Sequence, residues 1–240
     1  MSQFKELFTE IFQKNGLEAY IRDDIIEKFE KLTEIMIQTN TVMNITALTT
    51  IEKIIPLHYA DCVKIAEKIP EGATVIDIGC GGGFPILPLA IVRPDLKITG
   101  LDSTDKKVRY VQNTANELGL KINTLSARAE DAAKIAQYRD SFDIIISRAV
   151  ARMNLLDELC MPFVRVGGSF IAMKGAAGQE EMEEAKKGIE RLGGKIFCMN
   201  EYDLYTGNEN EKRTVIEIKK LTATPKEFPR GFGAIKKKPL

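Results

Sequence analysis

The chain has no tryptophan and one histidine, His58, among its 240 residues. Its four cysteines, Cys62, Cys80, Cys160 and Cys198, are scattered and form no CxxC pair. Neither a disulfide framework nor a zinc site is supported by so few ligands at such spacing, so no metal is expected. No apolar run reaches membrane-spanning length, and Met1-Ser2-Gln3-Phe4-Lys5-Glu6 lacks the basic-then-apolar layout of a signal peptide. A soluble cytoplasmic protein with no membrane partner is the expectation. Repeats and low-complexity tracts are also absent. An apolar fraction of 44% with 28% charged residues excludes wholesale disorder.

A net charge is lacking too: 34 basic side chains face 34 acidic ones. The distribution is uneven, however. Residues 1–70 carry 8 basic and 11 acidic groups, whereas residues 211–240 carry 9 and 3, with Lys236-Lys237-Lys238 near the end. One face could meet a polyanion locally, and a solubilising basic tail reads equally well.

The first seventy residues read as helices. Phe4, Leu7, Phe8, Ile11 and Phe12 form one apolar stripe, ended by Asn15-Gly16. Ile25, Ile26, Phe29, Leu32, Ile35 and Met36 form a second, with Asp23 or Asp24 as its cap. After a polar link over 40–44, a third helical stretch at 51–69 is interrupted by Pro56. These stripes need a partner surface, and the domain from residue 71 to 240 supplies the nearest one. Strands are expected at 73–78, 97–101, 121–126, 142–147 and 168–173, with helices at 85–92, 104–118, 129–137, 154–162 and 178–192. Two further extended runs, 195–204 and 213–219, follow with no helix between them. The result is an α/β, doubly wound, mostly parallel seven-stranded sheet that ends with an antiparallel strand. That ending is common in S-adenosylmethionine-dependent methyltransferases and unusual in dinucleotide folds. The tail after Thr222, with prolines at 225, 229 and 239, is expected to be irregular.

The strongest signal is Val75-Ile76-Asp77-Ile78-Gly79-Cys80-Gly81-Gly82-Gly83-Phe84-Pro85. Gly79, Gly81 and Gly83 allow a tight turn and a close approach to a ligand. The nicotinamide fingerprint GxGxxG fails from either start, because its last position falls on Phe84 or Ile86. DxGxGxG remains, suited to a cofactor without a pyrophosphate; Asp77 can organise the loop or meet the amino group of a methionine moiety. Cys80 reads as a small filler. Asp102 closes the second strand, where a carboxylate accepts both ribose hydroxyls or caps the next helix. Ala129 and Glu130, after the third strand, suit the adenine or a first helical turn. Arg148, at the lip of the fourth strand, suits the cofactor carboxylate, an RNA backbone or the loop itself.

The absent chemistry narrows the reaction. Ser147-Arg148-Ala149-Val150 stands where an exocyclic-amine methylase carries (Asp/Asn)-Pro-Pro-(Tyr/Phe), and no Pro-Cys offers a nucleophile for carbon methylation. No Ser/His/Asp array is evident, so no catalytic residue is assigned. An acceptor such as guanine N7, with a free lone pair and no proton to lose, needs mainly in-line positioning.

Asn44-Ile45-Thr46, His58-x-x-Asp61, the glycine loop, Leu101-Asp102-Ser103, Lys106-Lys107, Ile146-Ser147-Arg148-Ala149, Met173-Lys174-Gly175, Arg213 before Val215-Ile216, and the tail from Phe228-Pro229-Arg230 to Lys238-Pro239-Leu240 together resemble the bacterial small-subunit rRNA methyltransferase G family, also called glucose-inhibited division protein B. The resemblance covers nearly the whole chain. It implies methyl transfer from S-adenosylmethionine to N7 of a guanosine in the 530 loop of 16S rRNA, at RNA position 527. It also implies that Gly79, Phe84, Ala129, Glu130 and Arg148 contact the cofactor, while His58, Lys107, Lys174 and Arg213, beside Lys106, face the RNA. A monomer acting on a small ribosomal subunit or an assembly intermediate is expected. Leu57 and Cys62 depart from the family's usual arginine and serine, and Lys106-Lys107 from its usual Lys-Arg. Two rival readings share the core: a methyltransferase acting on a small molecule or protein, and a non-catalytic RNA-binding relative.

Overall fold

The alternation of β-branched runs with amphipathic helices produces one seven-stranded sheet in the computed structural model, which describes residues 2–240. Its strands are β1 (Thr74–Ile78), β2 (Lys97–Asp102), β3 (Ile122–Ser126), β4 (Phe142–Arg148), β5 (Val164–Lys174), β6 (Gly194–Tyr205) and β7 (Asn210–Lys220). They lie in the order β3-β2-β1-β4-β5-β7-β6. β7 inserts antiparallel between β5 and β6, and the other neighbours are parallel. The chain builds outward from β1 to β3, then crosses to β4 on the other side of β1. The crevice at the carboxyl ends of β1 and β4 is therefore the switch point where such sheets bind ligands.

Helices cover both faces: α1 (Gln3–Lys14), α2 (Asp23–Asn40), α3 (Ile51–Ile54), α4 (Asp61–Val63), α5 (Ile86–Val92), α6 (Asp105–Glu117), α7 (Ala129–Ala132), α8 (Met153–Cys160), α9 (Gly178–Arg191) and α10 (Phe232–Lys237). Alternation along β1 sends Val75 into one core and Ile76 and Ile78 into the other. The Val75 core includes the stripes of α1 and α2. Phe8, Phe12, Phe29, Leu32 and Met36 are fully buried there, each worth about 1.5–3 kcal/mol by area removed from water. Phe8 stacks on Phe12 at 3.8 Å, and Phe29 meets Tyr59 at 4.6 Å. The N-terminal helices thus share a hydrophobic core with the sheet.

Several local expectations differ from the structure. Asp23 and Asp24 do not cap α2; Arg22 holds the cap position and the two carboxylates lie in the first turn, where they favour the helix dipole. Pro56 has no N–H for the helical ladder, and residues Ile55–Ala60 between α3 and α4 adopt wider π-type turns. The helix expected at 129–137 stops at Ala132, after which the chain turns so that Arg139 can donate to the carbonyls of Thr224, Pro225 and Phe228. Those bonds also help to order a tail expected to be irregular. It ends in α10 and is clamped again where Arg230 makes a paired contact with the buried Glu158.

Candidate functional site

The β1–α5 loop is built from backbone that only glycine takes easily. Gly79, Gly81 and Gly83 have φ of 82°, 52° and 87°. The amides of Gly79 and Cys80 both donate to the Leu101 carbonyl, at 2.8 and 2.9 Å, which pins the loop to β2. Asp102 pins it again: Oδ2 accepts the Gly81 amide at 3.0 Å and Oδ1 the Thr104 amide at 2.8 Å. Asp102 therefore organises the loop and the start of α6 while one side of it faces the crevice.

That crevice is a cavity of about 440 Å³ at the switch point. Of the residues singled out in the sequence, it brings together Gly79, Gly81, Phe84, Asp102, Ala129 and Glu130. Arg148, His58 and Lys107 line it as well. Glu130 is 8% exposed and its carboxylate makes no hydrogen bond to the described residues. Asp77 and Gly83 stand behind the lining. A Cβ on Gly83 would collide with Leu87, so this glycine serves the packing of α5. Asp77 is fully buried and neither carboxylate oxygen has a hydrogen-bond partner. Burial raises its pKa well above the ordinary value, Arg148 opposes that shift, and Asp102 adds to it. Asp77 makes no hydrogen bond to the loop it precedes.

His58 and Arg148 form the opposite wall. The imidazole lies flat on Phe84, with ring centroids 4.1 Å apart and planes 10° apart. Arg148 donates to Nδ1 of His58 at 3.1 Å, to the Leu57 carbonyl at 3.0 Å and to Asp61 at 3.2 Å. Three of its five N–H donors are thereby used and two are left. Asp61 also accepts from Arg213 at 3.2 Å and Tyr202 at 3.4 Å, so one buried carboxylate joins the N-terminal segment to β4, β6 and β7. The π-type turns around Pro56 bring His58 and Asp61 to this junction.

Beyond Arg148, Ala149 and Val150 lies a second cavity of about 500 Å³, which shares those three residues with the first. Ala149 holds φ of 56°, a left-handed conformation costly for a residue with a Cβ. Lys174 and Arg213 line the second cavity, as do Tyr202 and Glu181. The half-buried Lys174 is paired with Glu181 at 2.9 Å, and Arg213 is paired with Asp61 and Glu211. Lys106 joins neither cavity. It borders a separate depression between α2 and α6, beside Thr39 and Tyr110.

Val150, Thr46 and Phe232 carry site geometry that the sequence reading missed. Val150 lies over Gly79, and a Cβ there would sit 2.5 Å from its Cγ2. Thr46 holds His58 through a 2.8 Å bond to Nε2. Phe232 reaches the mouth of the first cavity from α10. An aromatic between Gly231 and Gly233 in a basic tail is the only sequence mark it leaves. No group of three or more His, Cys, Asp or Glu side chains among the described residues is arranged to hold a metal, and no helix among them is long and apolar enough to cross a membrane.

A parallel sheet ending in an inserted antiparallel strand, with a glycine loop after β1 and an acid closing β2, defines the class I methyltransferase fold. Solved structures agree: the chain resembles TYW2 from P. horikoshii, solved in complex with MeSAdo, at a TM-score of 0.54 and 15% identity over 68% of this chain and 62% of that one. M. jannaschii TYW2, solved with AdoMet, gives 0.53 and 16% over 67% and 75%. The model of the family GidB, rRNA small subunit methyltransferase G, matches residues 25–203. A ribosomal RNA small subunit methyltransferase G from Clostridium perfringens (strain 13 / Type A) is 39% identical over 99% of both chains. Another from Clostridium botulinum (strain Loch Maree / Type A3) is 42% identical over 94% of this chain and 95% of its own. The chain belongs to the rRNA small subunit methyltransferase G family.

Proposed function

We propose that the chain transfers a methyl group from S-adenosylmethionine to N7 of a guanosine in 16S rRNA, at position 527 of the 530 loop. The observation that carries this reading is the shared wall: a cofactor-sized cavity at the switch point opens beside a second cavity rimmed by Lys174 and Arg213, with Arg148, Ala149 and Val150 common to both. Family membership supplies the RNA.

The lining suits the cofactor. The glycine turn admits a ligand close to backbone, and Asp102, at the end of β2 on the cavity wall, is suited to accept ribose hydroxyls. Glu130 offers an unpartnered, buried carboxylate beside Ala129, suited to an adenine amino group. The two spare donors of Arg148 suit the carboxylate of the methionine portion. When bound, the cofactor supplies an electrophilic methyl group on a sulfonium. This chain's residues then hold the acceptor in line and exclude water; Phe84 and His58 close the crevice as one stacked pair. N7 attacks with its own lone pair, so no proton has to move.

We read the substrate as RNA within a small subunit or an assembly intermediate, and the working form as a cytoplasmic monomer. Incubation with labelled cofactor and 16S rRNA, 30S particles, tRNA or total protein, followed by nucleoside mass spectrometry, tests the reading. N7-methylguanosine in small-subunit RNA is expected. Label confined to protein would replace it with the rival protein-methyltransferase reading, and label in another base would overturn the assignment to N7.

A further inference from the structure

The second cavity is lined by an ion pair that the cofactor reading leaves unused. Lys174 and Glu181 are 2.9 Å apart, with side chains only 8% and 15% exposed, and both line the cavity wall. Each is held by the loop that follows the shared wall. Lys174 donates to the Ala151 carbonyl at 2.5 Å, and Glu181 Oε2 accepts the Met153 amide at 3.0 Å. Both anchored contacts of Glu181 fall on Oε2, so Oε1 makes no hydrogen bond to the described residues. Lys174 likewise has a third N–H to give.

We propose that Glu181 and Lys174 read the Watson–Crick edge of the acceptor guanine and so set base specificity, an inference that rests on the methyltransfer reading above. Guanine presents N1–H and N2–H as adjacent donors beside the O6 acceptor, the complement of a carboxylate beside an ammonium. Adenine would present its N1 lone pair to the carboxylate and be repelled. The donors lie across the purine from N7. For transfer to occur, a base held by this pair must present N7 at the wall formed by Arg148, Ala149 and Val150, which the two cavities share. In the transfer, the N7 lone pair forms the new N–C bond, the C–S bond breaks, and its electrons remain on sulfur as the neutral thioether. The purine gains one positive charge and no proton leaves. That charge makes N1–H and N2–H stronger donors, so the bonds to Glu181 tighten as the methyl group arrives. Glu181 is in this sense a specificity and positioning residue, and its anchor to Met153 fixes where it points.

The test uses the full chain with small-subunit RNA ligated to carry guanosine or inosine at the acceptor position; inosine lacks only the N2 amino group. Wild type is expected to lose about ten-fold or more in kcat/KM on inosine, because a site built to pair a donor rejects the analogue lacking it. Glu181→Gln keeps an oxygen for the Met153 amide but not the carboxylate. It should lower kcat/KM on guanosine by about 100-fold, leave S-adenosylhomocysteine affinity unchanged, and bring the guanosine-to-inosine ratio towards one. Glu181→Asp should recover part of the ratio. Equal wild-type rates on the two RNAs overturn the proposal without any variant, as does a wild-type ratio in Glu181→Gln. Absence of label from N7 of unmodified RNA overturns the methyltransfer reading itself, and this proposal with it.

Discussion

Arg148 donates to Nδ1 of His58 across 3.1 Å, and a guanidinium has no lone pair with which to reverse that bond. Nδ1 therefore holds the lone pair and Nε2 the proton, which is donated to Thr46 Oγ1 at 2.8 Å. Burial first, and the Arg148 charge second, push the pKa of His58 down to about 3. As the chain's only histidine, it gives one set of ring-nitrogen resonances. These should report a neutral Nε2–H ring that does not titrate between pH 8 and pH 5; a midpoint near the ordinary value would mean that the contact does not persist. The folded pKa lies below the unfolded one, so the unfolded chain binds a proton that the folded chain refuses. The contribution to stability is complete above about pH 6.5 and is lost as pH falls towards 3.

Asp61 compensates two guanidinium groups while only 5% exposed. Removing the carboxylate leaves the half-buried Arg148 without an anionic partner and Arg213 with Glu211 alone, so Asp61→Ala should cost about 3 kcal/mol in chemical denaturation. Asp61→Asn keeps an acceptor and should cost less. Equal losses in the two variants would mean that the hydrogen bonds contribute nothing beyond the charge.

The sheet was legible because strands and helices alternate in a regular pattern, and the antiparallel ending showed as two extended runs with no helix between them. Gly79, Asp102 and Arg148 were legible for a related reason: each sits at the end of a strand, where chain order alone brings it to the switch point. Lys174 and Arg213 were visible as basic residues, but not their carboxylate partners: Glu181 comes from the next helix, α9, and Asp61 from the N-terminal helices, far from Arg213 in the chain. Val150 and Phe232 left almost no trace, because an apolar side chain over a glycine or at a cavity mouth looks like any other. The shape of the tail depends on Arg139, some 85 residues upstream of Thr224, a pairing that local pattern cannot contain.

Gly79 combines a left-handed backbone with a crowded Cβ position. Gly79→Ala should lose about 1–2 kcal/mol to the backbone alone, plus the collision with Val150, and should weaken S-adenosylhomocysteine binding in calorimetry. Gly81 shares the positive φ, but the nearest atom to its Cβ position is 3.8 Å away. Gly81→Ala should therefore lower the melting temperature less. Adding Val150→Ala to Gly79→Ala should restore the steric part of the loss. No recovery in the double variant would place the whole effect in the backbone.

The last prediction concerns the proton that the reaction does not move. Around the shared wall, His58 is held neutral, with a pKa pushed to about 3. Burial drives Cys80 upward and Cys62 up to about 12. None of these groups gains or loses a proton between pH 6 and pH 9, and N7 needs no base because its lone pair is free. Single-turnover methyl transfer should accordingly show no histidine or cysteine titration across that range, and so lack the sigmoidal rise of an imidazole general base. His58→Gln, which keeps a donor for Thr46 and an acceptor for Arg148, should retain most of the rate and the same profile. His58→Ala should lower the rate by about ten-fold or more through loss of the Phe84 stack and the Arg148 contact, again with no change of shape. A rise with a midpoint near pH 6.5 in wild type that disappears in His58→Gln would assign the imidazole a proton-transfer role. The chemistry at N7 would then have to be replaced by an acceptor that loses a proton.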